Sequence, residues 1–186
     1  PPDYSSAASD VYKRQSEEDF KIYPSGLSAE FDNINGGFAT QELVMLGGRR
    51  GSGKSIISLN LALNRFLQGN TVAFFTIEMR YKEVYDRVLS IISGVPFLDI
   101  FRNQLNDRQK VQMAKAKIKT FYQPNDVLDE MLKELEYGKD FKGFEKRIKI
   151  EKPKLKDNRL FMIDDESLTI NRIDHYCNMF SSKYPN

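Results

Sequence analysis

The sequence predicts an α/β fold in which a mostly parallel sheet lies between two layers of helices. Three observations carry that expectation. Short runs that are apolar at nearly every position recur at 42–47, 71–77 and 159–163, the composition of strands covered on both faces. Between them lie longer stretches whose apolar residues fall three and four apart, the spacing of a helix with one buried face. The connections are too long for hairpins and long enough for right-handed crossovers between parallel strands.

Taken in order, residues 1–15 show no period of 2 or 3.6 and many small polar residues, so they are expected to be a disordered leader or a non-native scar outside the fold. Residues 16–186 form the domain proper. Turn residues at 33–37 precede the first expected strand, 42–47, which ends in glycines. From Ser55, Ile56, Leu59, Leu63 and Phe66 predict a helix that Gln68-Gly69-Asn70 stops. Residues 71–77 are the second strand. Tyr81, Val84, Val88 and Ile91 predict the next helix, closed by Gly94 and Pro96. Asn106 suits the N-cap of a helix reaching about Phe121, with Val111, Ala114 and Ile118 on one face. After Pro124-Asn125 a short helix is expected over 126–137, then a lysine-rich surface stretch over 139–156 with little apolar periodicity. A third buried strand follows at 159–163. Ser167 and Thr169 are cap candidates for a last helix with Ile170, Ile173, Cys177 and Phe180 inward.

Composition narrows the function. At 186 residues the chain suits one ordinary domain, and 13 Phe with 9 Tyr give more aromatic bulk than a disordered polymer carries. No apolar run approaches the roughly 18 residues needed to span a bilayer, so no membrane partner is expected. Cys177 and His175 are the only residues of their kinds, which excludes an internal disulfide and a Cys/His zinc site and fits a reducing cytosol. A net charge of +2 makes no global case for nucleic acid.

The strongest chemical signal is Gly48-Arg49-Arg50-Gly51-Ser52-Gly53-Lys54-Ser55, the Walker A pattern of a P-loop, set between an expected strand and an expected helix. Glycines let the backbone wrap around phosphate oxygens, and a helix N-terminus adds positive potential there. Lys54 would reach the β- and γ-phosphates of a nucleotide and Ser55 would hold Mg²⁺. Glu78 ends the second strand, where open parallel sheets line their ligand crevice. On position alone it is either a base for an attacking water or a surface carboxylate.

These residues resemble a family. Phe31-Asp32, Gly36-Gly37-Phe38, the run 42–46, the phosphate loop and Ile77-Glu78-Met79 look like the RecA-like motor domain of DnaB-type hexameric replicative helicases, particularly those of phages. Ile163-Asp164-Asp165 with Ser167-Leu168-Thr169 resembles the helicase segment before the Walker B strand. The resemblance covers about 25–120 and resumes at 160–173. It implies a three-layer RecA-like ATPase that binds ATP and Mg²⁺, with Glu78 as catalytic glutamate alongside Lys54, and with Arg49 at a position where the family also carries arginine. It further implies single-stranded DNA, sister subunits of a hexameric ring, a primase and a helicase loader as partners, in the cytoplasm of a bacterium or phage-infected host. The Gly-Gly element and the loop are shared with RecA, RadA and KaiC-type ATPases. A RadA- or KaiC-like ATPase, or a non-catalytic nucleotide-binding fragment, therefore stands as the alternative. No convincing Walker B strand, DNA-binding loop or arginine finger follows, so the chain is expected to be a C-terminally truncated piece of such a domain, inactive or weakly active alone.

Two features are weighed against plainer readings. Leu160 to Asp164 reads like a Walker B strand in isolation, but the residues after it fit the earlier helicase strand better, so Asp164 is left out of the metal site. The stretch 139–159 holds nine basic residues against four acidic ones, with Phe141 and Phe144 interleaved. It is either a DNA contact with stacking rings or a solvated insertion, within about 123–157, whose rings dock on the domain. His175 is assigned no role.

Overall fold

The computed structural model describes residues 21–138 and 141–184, which divide into two units, 1–54 and 55–186. The expected leader lies outside the described residues.

In the first unit, β1 (Ile22–Tyr23) pairs antiparallel with β2 (Phe38–Ala39), Tyr23 facing Phe38. Between them α1 (Ala29–Asn35) starts at Ser28, whose hydroxyl accepts the Phe31 N–H at 3.1 Å, the bond expected of an N-cap. The helix ends on Gly36 in the left-handed conformation, φ 78°. Gly37 follows at φ 89°, where a Cβ would stand 2.4 Å from the Tyr23 carbonyl oxygen. Only glycine lets the chain turn back this closely onto β1. The expected turn at 33–37 is thus a short helix with its C-terminal cap.

The expected strand at 42–47 does not form. Residues 42–49 carry no regular secondary structure, and Leu43 and Met45 are each 89 % exposed. Apolar composition suits a buried strand, but a strand exists only through a ladder partner. Among the described residues the ladder of this unit joins β1 to β2 alone.

The second unit is a mixed helix and strand structure. β3 (Val72–Thr76) and β4 (Leu160–Asp164) pair in parallel, Val72 beside Leu160 and Thr76 beside Asp164. The two-residue alternation of a strand sorts their side chains to opposite faces. Val72, Phe74, Leu160 and Met162 pack with Leu59, Leu63 and Phe66 of α2 (Lys54–Leu67) and with Val84 and Val88 of α3 (Tyr81–Ser93). On the other face Phe75 meets Tyr176, and Phe161 stacks on Phe180 at 3.8 Å between ring centres, both partners from α8 (Ile170–Lys183). Helices cover both faces, which is why both strands are apolar up to their last residues, Thr76 and Asp164. Each fully buried aliphatic side chain contributes roughly 1.5–3 kcal/mol to this arrangement.

The inward stripe of α8 differs from expectation. Ile170 is 85 % exposed and Cys177 is exposed, while Tyr176, Phe180 and Tyr184 face the strand aromatics. Large rings on β3 and β4 select rings from the helix, and that selection turns the helix about its axis relative to an aliphatic stripe.

Beyond α3 lie α4 (Phe97–Phe101) and α5 (Asp107–Phe121), the latter opened by Asn106 and Gln109 in a reciprocal capping box. Next come α6 (Asp126–Gly138) and α7 (Phe141–Glu151). The helix α7 corrects the reading of 139–156 as a surface stretch with little apolar periodicity; residues 139–140 lie outside those described. Phe144 is buried among Ile118, Leu128, Met131, Leu132 and Leu135, with Phe141 and Ile148 packed alongside. Apolar residues at 141, 144 and 148 are a helical stripe that the intervening lysines obscure. The ends of this helical pair are tied together, Gln123 N–H to the Lys154 carbonyl and Lys156 N–H to the Phe121 carbonyl, each at 2.9 Å. No helix among the described residues is long and apolar enough to cross a membrane.

Candidate functional site

Gly48 to Lys54 belong to the first unit, and Ser55 and Glu78 to the second. Each set is therefore fixed within its own unit. The loop tightens through a turn in which the Ser52 N–H donates to the Arg49 carbonyl at 3.2 Å. Gly51 and Gly53 sit at φ 78° and 88°, a region that costs most other residues energy. Arg49 and Arg50 are exposed at the turn. Lys54 folds back so that Nζ donates to the carbonyl oxygens of Gly48 at 2.9 Å and Arg49 at 2.8 Å. Its ammonium is thereby held over the loop rather than extended into solvent. A Cβ at Gly48 would lie 2.6 Å from Ser52 Oγ and 3.2 Å from Lys54 Cγ, so a side chain here would displace both of those side chains.

The helix α2 begins at Lys54 and carries no acidic residue in its first turn. Nothing there offsets the positive end of its dipole. The curled glycine loop with its tethered ammonium offers donors that suit an anion with several oxygens; in the second unit the Ser55 hydroxyl is of the kind that ligates a hard cation.

Glu78 is exposed in the turn between β3 and α3, and that turn is clamped at both ends. At its start Thr76 is buried, and its Oγ1 accepts the Met79 N–H at 3.1 Å. The Thr76 carbonyl accepts the Asp165 N–H at 3.2 Å. At its end the Tyr81 N–H donates to Asp164 Oδ2 at 2.8 Å. Arg80, at the N-cap position of α3, offers no side-chain cap. A carboxylate from the neighbouring strand supplies one instead, where the helix dipole also favours negative charge.

Asp165 is itself buried and held. Its Oδ1 accepts both the N–H and the hydroxyl of Ser167 at 3.0 Å, and Oδ2 lies 2.9 Å from Arg172 Nε as a charge contact without hydrogen-bond geometry. The Arg172 guanidinium also donates to the Ser167 hydroxyl. The sequence offers Asp164 and Asp165 as part of a family-like segment and Asp164 as a metal ligand set aside, but assigns no structural role to either or to Thr76. The signal that could have found them is the register: two acidic residues closing one strand beside a threonine closing the next. Among the described residues no group of three or more His, Cys, Asp or Glu is arranged to hold a metal by itself.

The basic stretch resolves differently. Phe144 is buried and Phe141 half-buried, their ring centres 6.2 Å apart, so the Phe144 ring is packed into the domain. Lys142, Lys146 and Lys149 are exposed on α7, and Arg147 is paired with Glu134.

The sequence profile of the DnaB-like helicase C terminal domain matches residues 24–164. A replicative DNA helicase DnaB of Treponema pallidum is 31 % identical over 120 residues, covering 63 % of this chain and 27 % of that protein. One from Helicobacter pylori is 32 % identical over 93 residues, covering 50 % of this chain and 19 % of its own length. One from Mycoplasma genitalium is 30 % identical over 103 residues, with 51 % and 22 % covered. The chain thus spans about a quarter or less of the length of these relatives.

Proposed function

The chain belongs to the DnaB-like helicase C-terminal domain family, and from that membership we propose that it is the ATP-dependent motor of a replicative DNA helicase, built on a three-layer RecA-like fold with a mostly parallel sheet. The carrying observation is the loop 48–55, with Lys54 Nζ tethered to the Gly48 and Arg49 carbonyls and with Gly51 and Gly53 at positive φ. In this reading the loop amides and the N-terminus of α2 bind the phosphates of ATP. Lys54 offsets the charge on the β- and γ-phosphates, and the Ser55 hydroxyl contributes to the Mg²⁺ site. Arg49 and Arg50 border the loop. Glu78 orients the attacking water and takes its proton. Bound ATP supplies a phosphoanhydride whose hydrolysis releases the free energy for movement.

The whole protein, in this proposal, assembles as a hexameric ring on single-stranded DNA in the cytoplasm of a bacterium or phage-infected host. It couples turnover to duplex unwinding in DNA replication, alongside a primase and a loader. The named relatives are all replicative helicases, which favours this reading over a RadA- or KaiC-like ATPase.

The test is nucleotide binding and fork unwinding by the full-length protein. Lys54→Ala removes a charge-assisted contact worth about 1.5–3 kcal/mol, so affinity for a fluorescent ATP analogue should fall about tenfold to a hundredfold. Unchanged affinity would remove the site. ATP hydrolysis by the unaltered protein with no strand separation would favour the alternative ATPase.

A further inference from the structure

We infer that Asp164 is a positioning residue for Glu78: it acts through the turn that carries the glutamate and not as a ligand of the metal. The inference rests on the reading of Glu78 as the catalytic base and deepens it. Residues 76–81 form a turn with Glu78 near its centre. The N-terminal side of the turn is held by two main-chain features, the Thr76–Asp164 register and the Asp165 N–H to the Thr76 carbonyl, and by the Met79 N–H to Thr76 Oγ1. The C-terminal side is held to β4 by one side-chain bond, Tyr81 N–H to Asp164 Oδ2 at 2.8 Å. Without it the first turn of α3 loses its cap, because Arg80 supplies none, and that end of the turn is left to the packing of Val84 and Val88 on the sheet further along the helix.

The same bond explains why an acidic residue closes an otherwise apolar strand. One Asp164 oxygen is committed to an amide, on the strand that also delivers the buried Asp165 to Ser167 and Arg172. Asp165 fixes where β4 ends, and Asp164 transmits that position to the turn. A displacement of about 1 Å in a base costs on the order of a hundredfold in rate at the extreme, so a turn released at one end should lose turnover without losing substrate affinity.

The experiment measures kcat and KM for ATP, the Mg²⁺ concentration for half-maximal rate and the melting temperature, all in the full-length protein. Asp164→Ala should lower kcat by about tenfold with KM changed less than about twofold. Asp164→Asn keeps an oxygen that accepts the Tyr81 N–H, and should hold kcat within about threefold with an unshifted Mg²⁺ requirement. Arg80→Ser offers α3 a cap of its own, so Asp164→Ala combined with Arg80→Ser should recover the melting temperature of Arg80→Ser alone while kcat stays low. Recovery of kcat together with the melting temperature would make Asp164 a simple helix cap and overturn the inference. A raised Mg²⁺ requirement in Asp164→Asn would overturn it in favour of a metal ligand.

Glu78→Gln separates the two levels of the argument. Turnover lost by about a hundredfold or more in that variant, with kcat preserved in Asp164→Ala, defeats the positioning role alone. Turnover preserved in Glu78→Gln defeats the reading of Glu78 and the positioning role with it.

Discussion

Asp32 shows how a residue that the sequence offers only as part of a pattern acquires a physical reason. Beside the Gly36-Gly37 pair it looks like a family signature; in the structure its carboxylate accepts the amides of Ser25 at 2.7 Å and Gly26 at 3.0 Å, holding the segment before α1 against the helix. The Ser25 hydroxyl foremost pulls its pKa below the ordinary 3.8; burial works the other way, and the two amides add to the lowering. The sign follows from the depression: ionised Asp32 stabilises the first unit above the unfolded pKa of 3.8, and that contribution fades as pH falls through the lower folded value. The amide resonances of Ser25 and Gly26 should therefore titrate with a midpoint below 3.8, and the melting-temperature advantage over Asp32→Asn should shrink across the same window. A midpoint at or above 3.8 would dissolve the argument. The contacts of Lys54 and Asp164 illustrate what residue types alone conceal. Spacing is enough to propose Lys54 as a phosphate ligand, yet no spacing tells that Asp164, 83 positions from Tyr81, caps its helix.

Elements were legible where local chemistry decides them and illegible where a partner does. The helix α5 begins where Asn106 predicts, and the structure adds a reciprocal pair, the Gln109 N–H donating to Asn106 Oδ1 at 2.9 Å and the Asn106 N–H to Gln109 Oε1 at 3.0 Å. The limits of α3 likewise follow from Tyr81 and from Gly94, which takes φ 69° as its C-terminal cap. Asn106→Ala should cost about 1 kcal/mol in urea unfolding, and Asn106→Asp, which keeps the acceptor, only a few tenths. Equal losses from both would mean that the cap contributes nothing and that packing alone sets the start of α5. The run 42–47 fails as a strand for the opposite reason, since its apolar residues specify burial but not the ladder that would bury them. The helix α7 was hidden by density of charge: nine basic residues in 139–159 draw attention from three apolar ones at helical spacing.

At the scale of the second unit, the helical pair α6–α7 bears on how the whole unit unfolds. Its core is centred on Leu128, Met131, Leu132, Leu135 and Phe144, and it shares Ile118 with α5. Three residues on, Phe121 at the end of α5 joins the cluster around the sheet, its ring 5.5 Å from Phe66. One helix therefore belongs to both cores. The neck at Phe121–Lys156 and Gln123–Lys154, with the antiparallel bridge between Tyr122 and Leu155, closes the pair onto the same place. Loss of packing around Phe144 loosens Ile118, and Ile118 cannot move without disturbing the helix that carries Phe121. Phe144→Ala should accordingly destabilise the unit by about 3 kcal/mol, the cost of a cavity left by a buried ring, and do so within a single cooperative transition. Urea unfolding followed by far-ultraviolet circular dichroism and by tyrosine fluorescence should give coincident curves, both shifted to lower urea. Two separated transitions, with only the first moved, would show that the helical pair unfolds on its own and that α5 does not couple the two cores.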